Sequence, residues 1–294
     1  MWLLLAFVSA TLLGLYDVVK KISLERNAVI PVLFLNIFFC CLLFLPVVLL
    51  SALAPDMMRN TLLFLPAIGS EGHFLLFLKA SWIFAYFSLK HLPITIASPI
   101  KATQPILTLL GALLVFGERL NIWQWAGVLT AVISLFLLSR SGKKEGIRFA
   151  HNKWIYFMIL AVVTGSVSGL YDKYLMTCLD RMNVQVWYNF YQLAIMGVIL
   201  FTLWYPGRKK STPFQWRNTI PFISILLVLA DFVYFYALSY EDSMISIISL
   251  VRRSGVVVSF IAGAIWFKER NLKAKFIDLL LVLAGMYLIY LGTR

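Results

Sequence analysis

PIKATQPILTLLGALLVFGER, residues 99–119, and LVRRSGVVVSFIAGAIWFKER, residues 250–270, are the two stretches that decide the fold. Lys101 and Arg252 lie 151 positions apart (252 − 101), and so do Glu118-Arg119 and Glu269-Arg270 (269 − 118). Each basic residue sits mid-way along a long apolar segment that closes on a Glu-Arg pair, so the two stretches read as copies of one unit. A second echo, Gly14-Leu15-Tyr16-Asp17 against Gly169-Leu170-Tyr171-Asp172, falls at a similar offset (169 − 14 = 155). The chain has duplicated an expensive intramembrane charge.

Working outward, the 294 residues are 61% hydrophobic and only 13% charged. A soluble domain of this size has no interior large enough for that apolar share, so the expected class is an all-α polytopic membrane protein. A span needs about 20 apolar residues to cross a core about 30 Å thick. Ten such stretches fit: 2–22, 30–53, 72–89, 93–116 and 122–138, then 154–178, 184–205, 221–240, 243–267 and 273–291. The polar segment SRSGKKEGIRFAHNK, residues 139–153, separates a first five-helix repeat (1–138) from a second (154–294). Helix is the expected state because lipid offers no partners to unpaired backbone groups. Five is odd, so the second copy enters the membrane upside down. Inverted repeats of this kind place their site near the midplane, between the halves.

The net charge of +13 is read as loop anchoring. Loops after odd-numbered spans hold seventeen Lys and Arg against five on the opposite side, which places the odd loops in the cytoplasm and both termini outside. Cys40, Cys41 and Cys178 have no paired spacing, and His73, His91 and His151 are scattered, so neither a disulfide framework nor a metal site is expected. No cofactor is implied. The opening MWLLLAFVSATLLGLYDVVKK has its positive charges after its apolar run, and reads as a retained first helix.

Four basic residues are not anchors. Lys79, Lys101, Arg252 and Arg253 fall inside spans three, four and nine, with Lys101 about 5 Å and the tandem arginines about 4 Å from mid-span. Such a residue costs roughly 2.5 to 3.5 kcal/mol on insertion scales without a partner or a watery cavity. Asp231, central in span eight, is one candidate partner, and its repeat-equivalent position (231 − 151 = 80) adjoins Lys79, so a Lys79–Asp231 salt bridge is one expectation. The remaining surplus points to an anionic passenger, which an Arg fork binds bidentately and a Lys binds as a point charge. Gln104 shares a face with Lys101. Trp82, Tyr234 and Tyr236 are further candidates for the lining. Pro99 and Pro105 predict a kink or local opening of span four.

The duplicated unit, with ASPIKATQPILTLLGALLVFGERL (residues 97–120) closing on Glu118, resembles the EamA-type drug/metabolite transporter superfamily over nearly the whole chain. Within it, Ile100-Lys101-Ala102 followed by Pro105, with Arg252-Arg253 on span nine, is similar to the triose-phosphate/phosphate translocator branch. That likeness implies a phosphate held by Lys101, Arg252 and Arg253. Two positions depart from the branch: Trp82 stands where it has a histidine, and Arg252 where it has a lysine. The superfamily resemblance also implies cytoplasmic termini, opposite to the charge count.

The expected function is secondary active transport of small organic metabolites, anionic and either carboxylate or phosphorylated, by alternating access in the plasma (inner) membrane. An empty site with unpaired Lys101 and Arg252 would resist reorientation, so counter-exchange is expected. The alternative is a proton-coupled exporter of amino acids or drugs, with Asp231 titrating. Expected partners are a small-molecule substrate, a proton or counter-exchanged metabolite and the lipid bilayer, not nucleic acid. No cluster of His, Cys or carboxylates has catalytic spacing, so an enzyme is not expected.

Overall fold

A computed structural model describes residues 2–80, 100, 103–104, 106–107, 121–123, 125–127, 129–130, 133–134, 137, 153–208, 212–238, 240, 251–252, 254–266 and 272–293. Besides a short turn of helix at Pro55–Met58, the described helices are α1 (Trp2–Leu24), α2 (Val29–Leu53), α3 (Ser70–Ala80), α4 (Lys153–Cys178), α5 (Arg181–Ile199), α6 (Thr219–Leu238), α7 (Val256–Ile265) and α8 (Leu272–Thr293). They correspond to expected spans one to three and six to ten. α5 runs on through a π-helical stretch, Leu200–Trp204, and a last turn, Tyr205–Gly207. No strand occurs among the described residues.

Among the described residues, four helices are long and apolar enough to cross a membrane: Val29–Leu53, Trp154–Asp172, Arg181–Gly207 and Thr219–Ala237. α2 shows why burial here does not follow the usual polar-out rule. Leu33, Ile37, Cys40 and Phe44 are buried on one face, while Phe38, Leu42, Leu45 and Leu49 are exposed on the other. A helix apolar on both faces needs lipid on its outer side.

Local signals set the helix ends. Asp180 caps α5, its side chain accepting from the Met182 amide at 2.7 Å, and so stops α4 and starts α5 within two residues. Between α1 and α2 the chain turns at Arg26 with a φ of 51°. Asn27 holds that turn: its Oδ1 accepts from the Ala28 and Gln215 amides at 2.8 Å each, and its Nδ2 donates to the Gln215 carbonyl at 2.7 Å. The α1–α2 turn and the start of α6 are therefore tied together at one face of the membrane.

α1 packs along α6, α2 lies against both α5 and α6, α3 lies against α5 and touches α4, and α1 meets α7. One apolar cluster joins Tyr16 and Leu24 to Val29, Val32, Ile220, Ile223 and Leu226. A second gathers Ala6, Leu76, Leu175, Val184, Tyr234 and Phe235 from five helices. The deep charges lie around this second cluster.

Candidate functional site

Arg252 begins the site. Its guanidinium pairs with the Asp231 carboxylate of α6 through Nη2, and its carbon lies 4.0 Å from the centre of the Tyr234 ring. Asp231 and Tyr234 are three residues apart, so one face of α6 offers an anion and an aromatic plane together. The stacked ring replaces some of the water the cation has lost. The buried Nε of Arg252 has no acceptor among the described residues.

Lys79 of α3 forms the second pair. Its Nζ lies 2.7 Å from Asp172 of α4, 4.6 Å from the Tyr188 ring centre and 5.8 Å from that of Phe235. The expected Lys79–Asp231 bridge is therefore not formed: Arg252 takes Asp231, and Lys79 takes Asp172 instead. Asp172 lies nearer the end of its helix than Asp231 does, yet a lysine stem spans more than a helical turn and reaches it. In both pairs the acid is the more accessible partner, Asp231 at 26% against 16% for Arg252 and Asp172 at 24% against 7% for Lys79.

The chain around Arg252 is not continuous helix. Ser254 donates from its amide and its hydroxyl to the Val251 carbonyl, at 3.0 and 2.6 Å, and Val257 N donates to the Ser254 carbonyl at 2.9 Å. These bonds, three residues back, make a tight turn before α7 starts, so span nine is interrupted where an unbroken helix was expected. The described part of span four does the same. Thr103 donates from its amide and hydroxyl to the Ile100 carbonyl, at 3.2 and 2.7 Å, and Ile106 N donates to the Thr103 carbonyl at 3.0 Å. Every one of these positions is displaced by 151 residues (254 − 103, 251 − 100, 257 − 106). A hydroxyl bonding back to the chain bends a helix.

Lys101, Arg253 and Trp82 lie outside the described residues. Gln104 is buried against Gly165 of α4, and its carbonyl accepts from the Ser166 hydroxyl at 3.1 Å. Tyr234 joins Arg252, whereas Tyr236 faces Arg181, 5.2 Å from its ring, and stacks on Phe232. Lys20, counted as a loop anchor, is buried, 3.0 Å from Asp17 and 4.4 Å from the Tyr16 ring centre. The sequence reading also passed over a row of buried amides, Gln185, Asn189 and Gln192 on α5. Their spacing of four and three residues inside an apolar span was the available signal.

Buried ion pairs between helices that lipid-facing apolar residues surround define an integral membrane protein with a charged interior. The EamA-like transporter family model matches residues 1–140 and again residues 152–291, so the chain belongs to the EamA-like transporter family and is a membrane transporter. A solved structure described only as "Crystal structure of protein" aligns over 99% of this chain and 98% of its own, at a TM-score of 0.63 and 14% identity. That likeness shows the fold alone. No curated protein matches the sequence.

Proposed function

We propose that the chain is a secondary active transporter of small organic anions, built from ten spans in two inverted five-helix repeats that rock about a midplane site at Arg252. The half-used guanidinium carries this reading: Nη2 holds Asp231 while Nε has no acceptor among the described residues. A carboxylate or phosphate that binds Nε and Nη2 together makes the two-pronged contact that Asp231 does not complete. Lys101 and Arg253 supply further positive charge, in keeping with the phosphate-binding branch they resemble.

Helix packing supports the repeat. α1 on α6 (span one on eight) has its counterpart in α4 on α3 (six on three), and α2 on α6 (two on eight) in α5 on α3 (seven on three). The contact of α1 with α7 (one on nine) has its counterpart in Gly165 and Ser166 of span six against Gln104 of span four. α2 on α5 maps onto itself, as a two-fold axis between the halves requires. The double family match at 1–140 and 152–291 agrees.

The test is thermal unfolding of the purified protein against a panel of carboxylate and phosphorylated metabolites. A ligand at 100 times its Kd adds about 2.7 kcal/mol to stability. We expect stabilisation of the wild type that Arg252→Ala and Lys101→Ala both lose. A panel without effect on the wild type, or equal effects on Arg252→Ala, overturns the proposal.

A second reading, proton-coupled export, has its own support: the described deep cations already hold carboxylates, and those carboxylates are the more accessible partners. A proton on Asp231 would release Arg252 to the substrate. Because Asp231 neutralises Arg252, strict counter-exchange is not required of this pair. Asp231→Asn should then abolish uptake driven by a pH gradient in proteoliposomes while ligand-induced stabilisation persists. Gradient-driven uptake by Asp231→Asn removes this second reading. We place the carrier in the plasma or inner membrane, with no enzymatic step and no nucleic-acid partner.

A further inference from the structure

Three rows of polar side chains converge beside Asp231, on helices that carry no other deep charge there. On α5 the row is Gln185, Asn189 and Gln192, on α2 it is Asn36 and Cys40, and on α6 it is Ser224, about one turn before Val228 and two turns before Asp231. The rows touch. Gln185 Nε2 donates to the Val228 carbonyl at 3.1 Å, and Asn189 Nδ2 donates to the Gln185 carbonyl at 2.6 Å. Ser224 Oγ lies 2.9 Å from the Asn36 carbonyl and 3.0 Å from its Oδ1, and Cys40 Sγ is 3.8 Å from the Ser224 carbonyl. Met196, one turn beyond Gln192, packs on Leu33, Ile37 and Cys41, which fixes the amide face of α5 against α2.

Two atoms in these rows have no hydrogen-bond partner among the described residues: the Asn36 Nδ2 donor and the Gln185 Oε1 acceptor. Asn36 is fully buried and Gln185 is 3% exposed. One donor and one acceptor left over in the same apolar interior are what bridging water satisfies. From Asp231, Ser224 is seven residues, about 10 Å, toward the start of α6. Five residues further, at the start of α6, Ser23 Oγ lies 2.6 Å from Thr219 Oγ1, near the Asn27–Gln215 bonds that close the α1–α2 turn. The ionisable groups around Asp231 among the described residues are Arg252, Tyr234 and Cys40.

We propose that this amide-lined seam is a hydrated path that carries water, and with it protons, between the membrane face at Thr219 and Asp231. It rests on the proton-coupled reading of the same site and supplies its missing step. A hydronium in the seam gives its proton to the Asp231 carboxylate, leaves as water, and frees Arg252.

Three native cysteines make the test possible. Cys40 lies on the seam, while Cys41 packs on Met196. Cys178, exposed at the end of α4, marks the opposite membrane face, because α5 begins three residues later and crosses to the side where α6 starts. Proteoliposomes are treated on one side at a time with a small membrane-impermeant methanethiosulfonate, and labelling is read by mass spectrometry. Since only a hydrated thiol ionises readily, Cys40 in Cys41→Ser should react about 10-fold faster than Cys41 in Cys40→Ser. It should react from the face opposite to Cys178. Gln185→Met and Asn36→Leu should each slow it about 10-fold, because they remove the polar atoms that hold water. An unchanged Cys178 rate certifies the fold of both variants. Equal rates at Cys40 and Cys41, labelling from the Cys178 face, or no slowing in either folded variant overturns the seam. A dry seam in a protein that still binds carboxylates would retire the path and leave the carrier, and a wet seam without ligand binding would do the reverse.

Discussion

The turn at Thr103 and the turn at Ser254 share their hydrogen bonds to within about 0.2 Å, yet they meet the neighbouring helix in different ways. After Ser254 comes Gly255, whose backbone lies directly on Ala10 and Gly14 of α1. After Thr103 comes Gln104, whose side chain fills the space above Gly165 of α4. The register is the same in both, since Ala10 and Gly165 are 155 residues apart and Gln104 and Gly255 are 151 apart. Small meets small at Gly255 and Ala10, whereas a large side chain meets a glycine at Gln104 and Gly165. Local structure follows from the hydroxyl and survives in both copies, whereas helix-to-helix contact follows from volume and differs. One contact is backbone on backbone, the other is padded by an adaptable side chain.

The largest expected effect follows from the unpadded contact. A Cβ at Gly255 would collide with the Ala10 carbonyl and come 3.3 Å from the Gly14 amide nitrogen, neither of which can rotate away. Gly255→Ala should cost about 3 kcal/mol in thermal or denaturant unfolding in detergent, at the upper end for overpacking. Gly14→Ala, facing the Gly255 carbonyl at 2.5 Å and Val258 Cβ at 2.6 Å, should be comparably harmful. Wild-type stability in either variant would mean that α1 and α7 are not in backbone contact.

The padded contact should give more easily. The Cβ of Gly165→Ala would meet Gln104 Nε2 at 2.7 Å and Cδ at 3.1 Å, the far end of a flexible chain. We expect a loss of about 1 kcal/mol, largely restored when Gln104→Ala is added, since contacting residues couple. Purely additive losses in the double variant would show that Gln104 does not fill the Gly165 notch.

How much of this was legible in sequence depends on the kind of contact. The 151-residue offset singled out Arg252, and Asp231 stood out because a carboxylate at the centre of a span demands a partner. Which cation would take it was not readable. Pairing depends on which helices adjoin, and the offset relates positions across the repeat without saying that α3 leans on α4 and α5. Lys20 was misread for a similar reason: a basic residue near a span end looks like an anchor until Asp17, one turn away, is seen to share its burial. The amides of α5 escaped notice because they carry no charge, and only a deep charge demands a partner strongly enough to stand out. The expected opening of span four rested on Pro99 and Pro105, which lie outside the described residues; the described bonds add the Thr103 hydroxyl, a residue type whose back-bonding is invisible to a search for helix breakers.

The smallest effect separates hydroxyl from bulk in the two turns. Ser254→Ala removes one of the two donors on the Val251 carbonyl and leaves the amide bond at 3.0 Å, so its cost should be about 0.5 to 1 kcal/mol. Thr103→Ala should cost the same, although it also deletes a methyl group. Exchanging the hydroxyl residues, Ser254→Thr with Thr103→Ser, should be neutral if the oxygen is what holds each turn. Losses in the double alanine variant should add if the turns act independently. A double loss clearly larger than the sum would mean that the two turns brace each other across the centre of the bundle. That result would turn two copies of a local bend into one coupled element spanning both halves, the kind of element whose two arrangements alternating access requires.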